Sequence, residues 1–231
     1  MHTLTEGTDR HPCSADAIAK IGPNAVIQLV AALRASQLAG AAPAIFRDAG
    51  VGDWLAVPPA AMVDERRVAR LHQCVRASLP AAQAAGVLAD AGRMTADYLL
   101  ANRIPRVAHA TFRILPAPLA ARLLVAAVRR NAWTFAGSGQ LYARAGAATV
   151  FELAGNPLCA GETAPAPVCV WHAAVFQRLF EVLVDSSSQV IETHCRAAGN
   201  DRCRFLVDSG PDMVRRSAAA VSAPLTPPCR D

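Results

Sequence analysis

The sequence has almost no lysine, few aromatic residues and no tight cluster of basic residues. Lys20 is the only lysine, so arginine carries nearly all of the positive charge behind the formal net charge of +5. The arginines form no run longer than pairs such as Arg129-Arg130, and a surface that binds duplex nucleic acid usually has denser clustering. We therefore expect no nucleic-acid partner, and the basic excess suits an acidic ligand or a membrane surface.

Two kinds of targeting segment are also missing. The first residues, MHTLTEGTDRHPC, are polar and lack the apolar region of a signal peptide. The most apolar stretch, PLAARLLVAAV from Pro118, is interrupted by Arg122 and is too short to span a bilayer. We therefore expect a cytoplasmic protein without a transmembrane segment, which is peripheral if it contacts a membrane.

The sequence lacks the motifs of the common redox cofactors. The nearest match to a dinucleotide fingerprint, GSGQLY from Gly137, has no third glycine and precedes a predicted strand instead of following one. We find no flavin motif and no CxxC pair. The motifs therefore give no support to a bound nicotinamide, flavin or iron–sulfur cluster.

Composition and periodicity divide the chain into four parts. Residues 1–14 and 209–231 are expected to be flexible ends. Residues 15–136 are rich in alanine and predict a helical part, whereas residues 137–208 combine glycine-containing turns with short strands and one helix. The predicted fold class is therefore α+β, with a C-terminal antiparallel sheet packed with helices.

Periodic apolar residues predict the individual elements. The predicted helices cover residues 24–37, 43–49, 61–78, 80–100, 119–133 and 170–184. The predicted strands cover residues 140–143, 149–153, 190–194 and 203–207. We expect Asn24 to cap the first helix, and Gly199 to begin the turn between the last two strands. The segment around His109 is assigned to no element.

The arrangement of cysteines predicts a metal site. Seven cysteines are present, and grouped cysteines in a reducing cytoplasm favour metal binding over disulfides. Cys195 and Cys203 lie at the two ends of the predicted hairpin turn, Glu192 lies three residues before Cys195, and Cys169 directly precedes the long helix. Three thiolates and one carboxylate suit a tetrahedral zinc with no open position, which stabilises structure and does not activate water.

This site has alternatives and one geometrical requirement. The cysteines could instead be ordinary buried apolar residues, an iron–sulfur cluster would normally take four thiolates, and Cys159 competes as a ligand. Glu192 and Cys195 would point to opposite faces of a regular strand because their spacing is odd. The strand must therefore bend or bulge near His194 if both side chains are to reach one ion.

The stretch NPLC…CVWHAAVFQRLFEVLVDSSSQVIETHCRAAGNDRCRF resembles the 4-vinyl reductase domain, over about residues 137–208. That domain also occurs as the effector-sensing part of phenol- and xylene-responsive bacterial regulators. In those sensors a Cys, a Glu and two further Cys residues hold zinc. The resemblance therefore implies a structural Zn²⁺ on the matching residues, which are Cys169, Glu192, Cys195 and Cys203.

The segment IGPNAVIQL from Ile21 extends the resemblance to a family of bacteriochlorophyll-biosynthesis proteins from purple photosynthetic bacteria. This resemblance implies a protein that binds a (divinyl) protochlorophyllide-type Mg-tetrapyrrole and holds or delivers it to pathway enzymes. The alternative is the activity in the domain's name, reduction of the 8-vinyl (4-vinyl) group of divinyl protochlorophyllide. It also implies a location peripheral to the photosynthetic membrane and, by analogy, a homodimer.

A planar macrocycle needs an apolar concave site with a few polar anchors. A histidine could ligate its magnesium, and large aromatic residues could stack on its ring, although both are more often ordinary core residues. The candidate ligand-binding residues are His109, Trp133, Trp171 and His172. His72 is weaker, because Leu71 and Val75 already define the apolar side of its helix.

Overall fold

The structure is a computed structural model that describes residues 18–146 and 148–208. The expected flexible ends, residues 1–14 and 209–231, lie outside the described residues. Within the described ranges the chain forms helices and a four-stranded antiparallel sheet, which confirms the predicted α+β class. The helices are α1 (Asn24–Ala35), α2 (Ala42–Asp48), α3 (Asp53–Ala56), α4 (Glu65–Ser78), α5 (Ala81–Asn102), α6 (Arg106–Ile114), α7 (Ala117–Arg130) and α8 (Val170–Leu183). The strands are β1 (Lys20–Ile21), β2 (Val63–Asp64), β3 (Gln140–Arg144), β4 (Thr149–Ala154), β5 (Gln189–His194) and β6 (Arg202–Asp208).

The start of α1 differs from its prediction. Asn24 is the first helical residue and not the cap, because the carbonyl of Pro23 already accepts hydrogen bonds from the backbone N–H groups of Val26 and Ile27. The residue that precedes the helix is therefore Pro23, which offers no side-chain acceptor. Helix α6 has no counterpart among the predicted elements, because Pro105 and Pro116 restrict it to nine residues and its apolar pattern is too short to recognise.

The sheet has the strand order β3-β4-β6-β5, and every neighbouring pair is antiparallel. The two central strands, β4 and β6, are buried along almost their whole length. Their apolar side chains pack against α8: the ring of Phe151 stacks on Phe176 at 4.4 Å between centroids, and Phe205 meets the same ring edge-on at 5.5 Å. The sheet therefore fixes one side of α8.

The other side of α8 packs closely on α5, and a glycine makes this approach possible. A Cβ atom at Gly92 would lie 2.5 Å from the backbone oxygen of Trp171 and 2.8 Å from the Cβ of Ala174. The neighbouring α5 positions Ala91 and Ala96 are small and buried. Helix α8 thus lies between the sheet and the N-terminal helices, and the division of the chain near residue 136 stays a prediction.

Within residues 18–146 and 148–208, none of the helices combines the length and apolar character that a bilayer crossing requires.

Candidate metal centre and ligand cavity

Four buried cysteines meet at the N-terminus of α8, and each comes from a different local element. Cys159 ends a short 3₁₀ turn, Cys169 immediately precedes α8, Cys195 follows β5, and Cys203 is the second residue of β6. Their sulfur atoms all lie within 4.8 Å of one another. The structure therefore brings together three of the predicted ligands with Cys159, the competitor recognised in the sequence.

The distances between these sulfurs fit a metal centre. Cys203 Sγ lies 3.6 Å from Cys159 Sγ, 3.6 Å from Cys169 Sγ and 4.0 Å from Cys195 Sγ. A tetrahedral ion with metal–sulfur bonds of about 2.3 Å would place sulfurs about 3.8 Å apart. A disulfide would need about 2.05 Å, and all four cysteines are free. The group could therefore hold a metal ion with four protein ligands.

The predicted irregularity of β5 is confirmed. Glu192 pairs with Phe205, whereas His194 pairs with Arg204, so Thr193 is an extra residue in β5 and forms a β-bulge. A bulge changes the direction of the side chains that follow it, which lets both Glu192 and Cys195 face the centre. The backbone N–H of Cys195 is then held at 3.0 Å by the side-chain oxygen of Asn200 from the predicted turn.

Glu192 lies beside the four sulfurs. Its Oε2 accepts a hydrogen bond from the backbone N–H of Cys169 at 2.7 Å, while its Oε1 is buried without a partner among the described residues. Burial raises the pKa of this carboxyl to about 8 because a charged group is poorly solvated there. An unpartnered carboxylate oxygen next to three predicted thiolate ligands suits a nearby cation, and the assignment of Glu192 as a ligand stays a prediction.

Asn156 is a site residue that the sequence reasoning missed. Its side-chain amide donates to Cys169 Sγ at 3.2 Å and to Cys203 Sγ at 3.4 Å, and its oxygen accepts from the backbone N–H of Leu158. Donors to sulfur stabilise thiolates around a metal. The signal was available in the motif Asn-Pro-Leu-Cys, since an asparagine before a proline commonly begins a turn.

The thiols influence one another strongly. The pKa of Cys195 is lowered because neighbouring thiols, Cys159 first among them, donate hydrogen bonds to its sulfur. The same interactions raise the pKa of Cys203, again with Cys159 as the leading cause. One thiolate surrounded by thiol donors is therefore the favoured state of the metal-free group, and a divalent cation would complete the deprotonation.

Helix α4 fastens the Cys159 segment to the N-terminal helices. The Arg76 guanidinium donates to the carbonyl of Leu158 at 2.8 Å and to the Glu162 carboxylate at 2.8 Å. The side-chain amide of Gln73 donates to the carbonyl of Ala160 at 2.9 Å. The Cys159 loop thus connects the sulfur group with the helical part of the chain.

A large cavity lies next to this centre, between α8 and the N-terminal helices. Its volume is about 640 Å³, and its walls come from α1, α5, α7, α8 and the segment after α7. This volume is in the range of small-molecule and cofactor sites, about 300–1,000 Å³. Most of the lining side chains are apolar, such as Leu99, Leu124 and Leu179, and the charged residue among them is Arg103.

Three of the four predicted ligand-binding residues line this cavity: Trp133, Trp171 and His172. Neither ring nitrogen of His172 has a hydrogen-bond partner among the described residues, and the same is true of Trp171 Nε1. Burial lowers the pKa of His172 to about 3, so its ring is neutral and one nitrogen keeps a free lone pair. Buried polar atoms without partners are rare, and these lie at the wall of a cavity.

The fourth residue lies elsewhere. His109 is half-buried on α6, where its Nε2 lies 3.0 Å from the carbonyl oxygen of Leu100, and it is not among the cavity-lining residues. His72 is buried, and its Nε2 lies 3.0 Å from the carbonyl oxygen of Ala25. No sequence pattern indicated the polar lining residues Thr95, Arg103 and Asn131, because three separate regions of the helical part supply them.

Comparisons with known proteins identify the relatives of this chain. The model of the 4-vinyl reductase domain family matches residues 149–209. In the solved phenol-responsive sensory domain of the transcription activator PoxR with phenol, the matching part covers 70% of this chain and 83% of that chain, at 14% identity and a TM-score of 0.45. The bacteriochlorophyll synthase 23 kDa chain of Cereibacter sphaeroides is 45% identical over 186 residues, which cover 80% of this chain and 89% of the relative. The protein of the same name from Rhodobacter capsulatus is 39% identical over 198 residues, which cover 85% and 90%. The chain therefore belongs to the bacteriochlorophyll synthase 23 kDa chain family, BchJ, of bacteriochlorophyll biosynthesis.

Proposed function

We propose that this protein binds a Mg-tetrapyrrole of the protochlorophyllide type in the cavity, and holds or delivers it to other enzymes of bacteriochlorophyll biosynthesis. The observation that supports this most is His172, a buried neutral histidine with two unpartnered ring nitrogens at the wall of an apolar cavity. A neutral imidazole is a good ligand for the magnesium of a planar macrocycle.

The surroundings of His172 suit a large planar ligand. The rings of Trp171, Phe135 and Phe205 lie 5.0–6.0 Å from the His172 ring, centroid to centroid. This aromatic wall would contact the faces and edges of a macrocycle. Arg103 supplies a guanidinium at the cavity, and guanidinium groups pair with carboxylates such as the propionate of a protochlorophyllide-type pigment.

We further infer that the cysteine group holds a structural Zn²⁺ on Cys159, Cys169, Cys195 and Cys203, with Glu192 beside it. Four protein ligands leave no position for substrate or water, so the ion would supply rigidity and no chemistry. Cys169 immediately precedes α8, and Trp171 and His172 are the second and third residues of that helix. A metal at Cys169 would therefore fix the helical turn that carries the cavity's unpartnered groups.

The partners and the location belong to the same proposal. The name of the relatives describes a chain of bacteriochlorophyll synthase, which supports enzymes of that pathway as recipients of the bound pigment. A Mg-tetrapyrrole is apolar and planar, so a place at the surface of the photosynthetic membrane would shorten its path. The homodimer stays a prediction.

Titration of the purified protein with Mg-protoporphyrin tests the pigment site. We expect a saturable shift of the main absorption band at one pigment per chain, and a shift of a different size in His172→Gln, because the axial ligand is lost. Metal-free protoporphyrin is the matched ligand control, since it has no axial position and its spectrum should not change between the two proteins. His109→Gln is the matched protein control, because that histidine lies outside the cavity.

Two outcomes would overturn the proposal. The first is a flat titration of the wild-type protein, and the second is an identical spectrum for the wild type and His172→Gln with Mg-protoporphyrin. Incubation with divinyl protochlorophyllide and NADPH tests the reductase alternative. Loss of the 8-vinyl group without any partner protein would show an enzyme and would contradict a pure carrier.

A further inference from the structure

The positive charge of this chain is concentrated in one segment. Residues 98–151 contain seven arginines and neither aspartate nor glutamate, so this stretch carries +7 whereas the rest of the chain sums to −2. The segment includes α6 and α7. The arginines do not form a dense run in the sequence, and the missing acidic residues are the more informative feature.

Most of these arginines are exposed and free of carboxylate partners. The exposed members on and around the two helices are Arg103, Arg113, Arg122, Arg129 and Arg130. Among residues 18–146 and 148–208, no carboxylate lies within ion-pairing distance of any of these five side chains. By contrast, Arg76, Arg93, Arg178 and Arg202 outside the segment each have a carboxylate partner. The segment therefore presents uncompensated positive charge to solvent.

The same helices expose apolar side chains. Val107 and Ile114 on α6, Leu119 and Leu123 on α7, and Trp133 just after α7 are five of the nine large hydrophobic residues that are exposed among the described residues. Ile114 is 83% exposed and Trp133 is 62% exposed. The α6 pair is seven residues apart and the α7 pair is four residues apart, so each pair lies on one face of its helix.

Each exposed apolar pair is bordered by arginine. Arg113 is next to Ile114, and Arg122 is next to Leu123. A helix that combines exposed Leu, Ile or Trp with flanking basic residues is typical of binding in the interfacial region of an anionic membrane. We call this set the α6–α7 surface: Val107, Arg113, Ile114, Leu119, Arg122, Leu123, Arg129, Arg130 and Trp133.

We propose that the α6–α7 surface docks on an anionic lipid bilayer, with the apolar residues in the interfacial region and the arginines on lipid phosphates. Seven arginines without an acidic neighbour in their segment match a surface of uniform negative charge. Trp133 belongs to this surface and also lines the cavity, and tryptophan is enriched at membrane–water interfaces.

Docking in this orientation brings the cavity next to the bilayer. Arg103 and Trp133 are exposed residues that also line the cavity, so the cavity reaches the protein surface beside the proposed lipid contact. An apolar ligand could then exchange between the bilayer and the cavity without crossing water. This exchange rests on the proposed function, whereas the docking itself does not.

Co-sedimentation of the full chain with vesicles tests the docking. We expect binding to phosphatidylcholine vesicles that contain about 30% phosphatidylglycerol, and much weaker binding to pure phosphatidylcholine, because basic residues near an anionic surface each contribute roughly fivefold to partitioning. Binding should weaken with added salt, since the Debye length falls from about 10 Å at 0.1 M to about 3 Å at 1 M. Equal binding to both vesicle types, or none, would overturn the proposal.

Matched variants identify the surface. The triple change Arg122→Gln, Arg129→Gln and Arg130→Gln should weaken binding by about 100-fold. The triple change Arg47→Gln, Arg67→Gln and Arg93→Gln removes the same charge from exposed positions elsewhere and should have a much smaller effect. Equal losses from the two triple variants would show non-specific attraction and would refute the assignment.

A second pair of variants tests the apolar part. Val107→Ser should weaken vesicle binding, whereas Val57→Ser should not, although the two valines are almost equally exposed, at 78% and 76%. Binding of the wild type to an acidic protein but not to anionic vesicles would identify a protein interface and overturn the lipid assignment.

The test is independent of the pigment site. The arginine variants should keep the absorption shift with Mg-protoporphyrin in solution, and His172→Gln should keep vesicle binding. Failure of one set of measurements therefore leaves the other interpretable.

Discussion

The choice of the fourth metal ligand allows the sharpest experiment, because two side chains next to the same three cysteines differ in what they contribute. Cys159 Sγ lies 3.6 Å from Cys203 Sγ, close to the edge of a tetrahedral sulfur site. Glu192 Oε2 is already occupied by the backbone N–H of Cys169 at 2.7 Å. We therefore compare Cys159→Ser with Glu192→Gln.

The expected effects differ in size. Structural zinc contributes about 10–16 kcal/mol in zinc-finger peptides, so the loss of one of four ligands should cost roughly 3 kcal/mol, which is on the order of 100-fold in affinity or more. In Glu192→Gln the side-chain oxygen remains able to accept from Cys169, so the change resembles the loss of a neighbouring hydrogen bond, at about 10-fold. Cys159→Ser should also lower the thermal unfolding temperature of the zinc-loaded protein more than Glu192→Gln does.

The assay combines zinc competition with cobalt substitution. The intensity of the thiolate-to-cobalt absorption scales with the number of thiolate ligands, so Cys159→Ser should fall to about three quarters of the wild type while Glu192→Gln keeps it. The opposite pattern, with full cobalt–thiolate absorption in Cys159→Ser and weakened metal binding in Glu192→Gln, would refute this reasoning. It would restore the ligand set that the family resemblance implies.

Two further predictions concern the packing and the pH dependence of the fold. Gly92→Ala should destabilise the protein by about 1–3 kcal/mol, because the added methyl group would meet the Trp171 backbone at 2.5 Å; Gly86→Ala in the same helix has open space and should stabilise it by about 0.5–1 kcal/mol in urea unfolding. Burial lowers the pKa of His72 to about 4 from 6.5, so the unfolded chain binds a proton between these values and the folded chain does not. Stability should therefore fall as the pH drops from 6.5 to 5, by roughly 1.5 kcal/mol, and His72→Gln should remove that part of the slope. Parallel unfolding curves of the two proteins at pH 6.5 and pH 5 would contradict this.

The order of elements was predictable from local patterns. The predicted strand over residues 149–153 matches β4 at Thr149–Ala154, and the helix over residues 170–184 matches α8 at Val170–Leu183. These segments have strong apolar periodicity, which is a local property of the chain. The bulge in β5 was predictable for a similar reason, because the odd spacing of Glu192 and Cys195 conflicts with the two-residue repeat of a strand.

Three-dimensional packing decided what local patterns could not. Cys159 is ten residues from Cys169 and 44 residues from Cys203, and only the antiparallel pairing of β4 with β6 brings its turn to the same place. The cavity likewise needs residues from α1, α5, α7 and α8, whose contacts depend on the close approach that Gly92 permits. Periodicity shows which face of a helix is apolar, but it does not show which partner covers that face or where a space remains uncovered. The identity of His172 was therefore readable in the sequence, whereas its unpartnered state at a cavity wall depends on the whole fold.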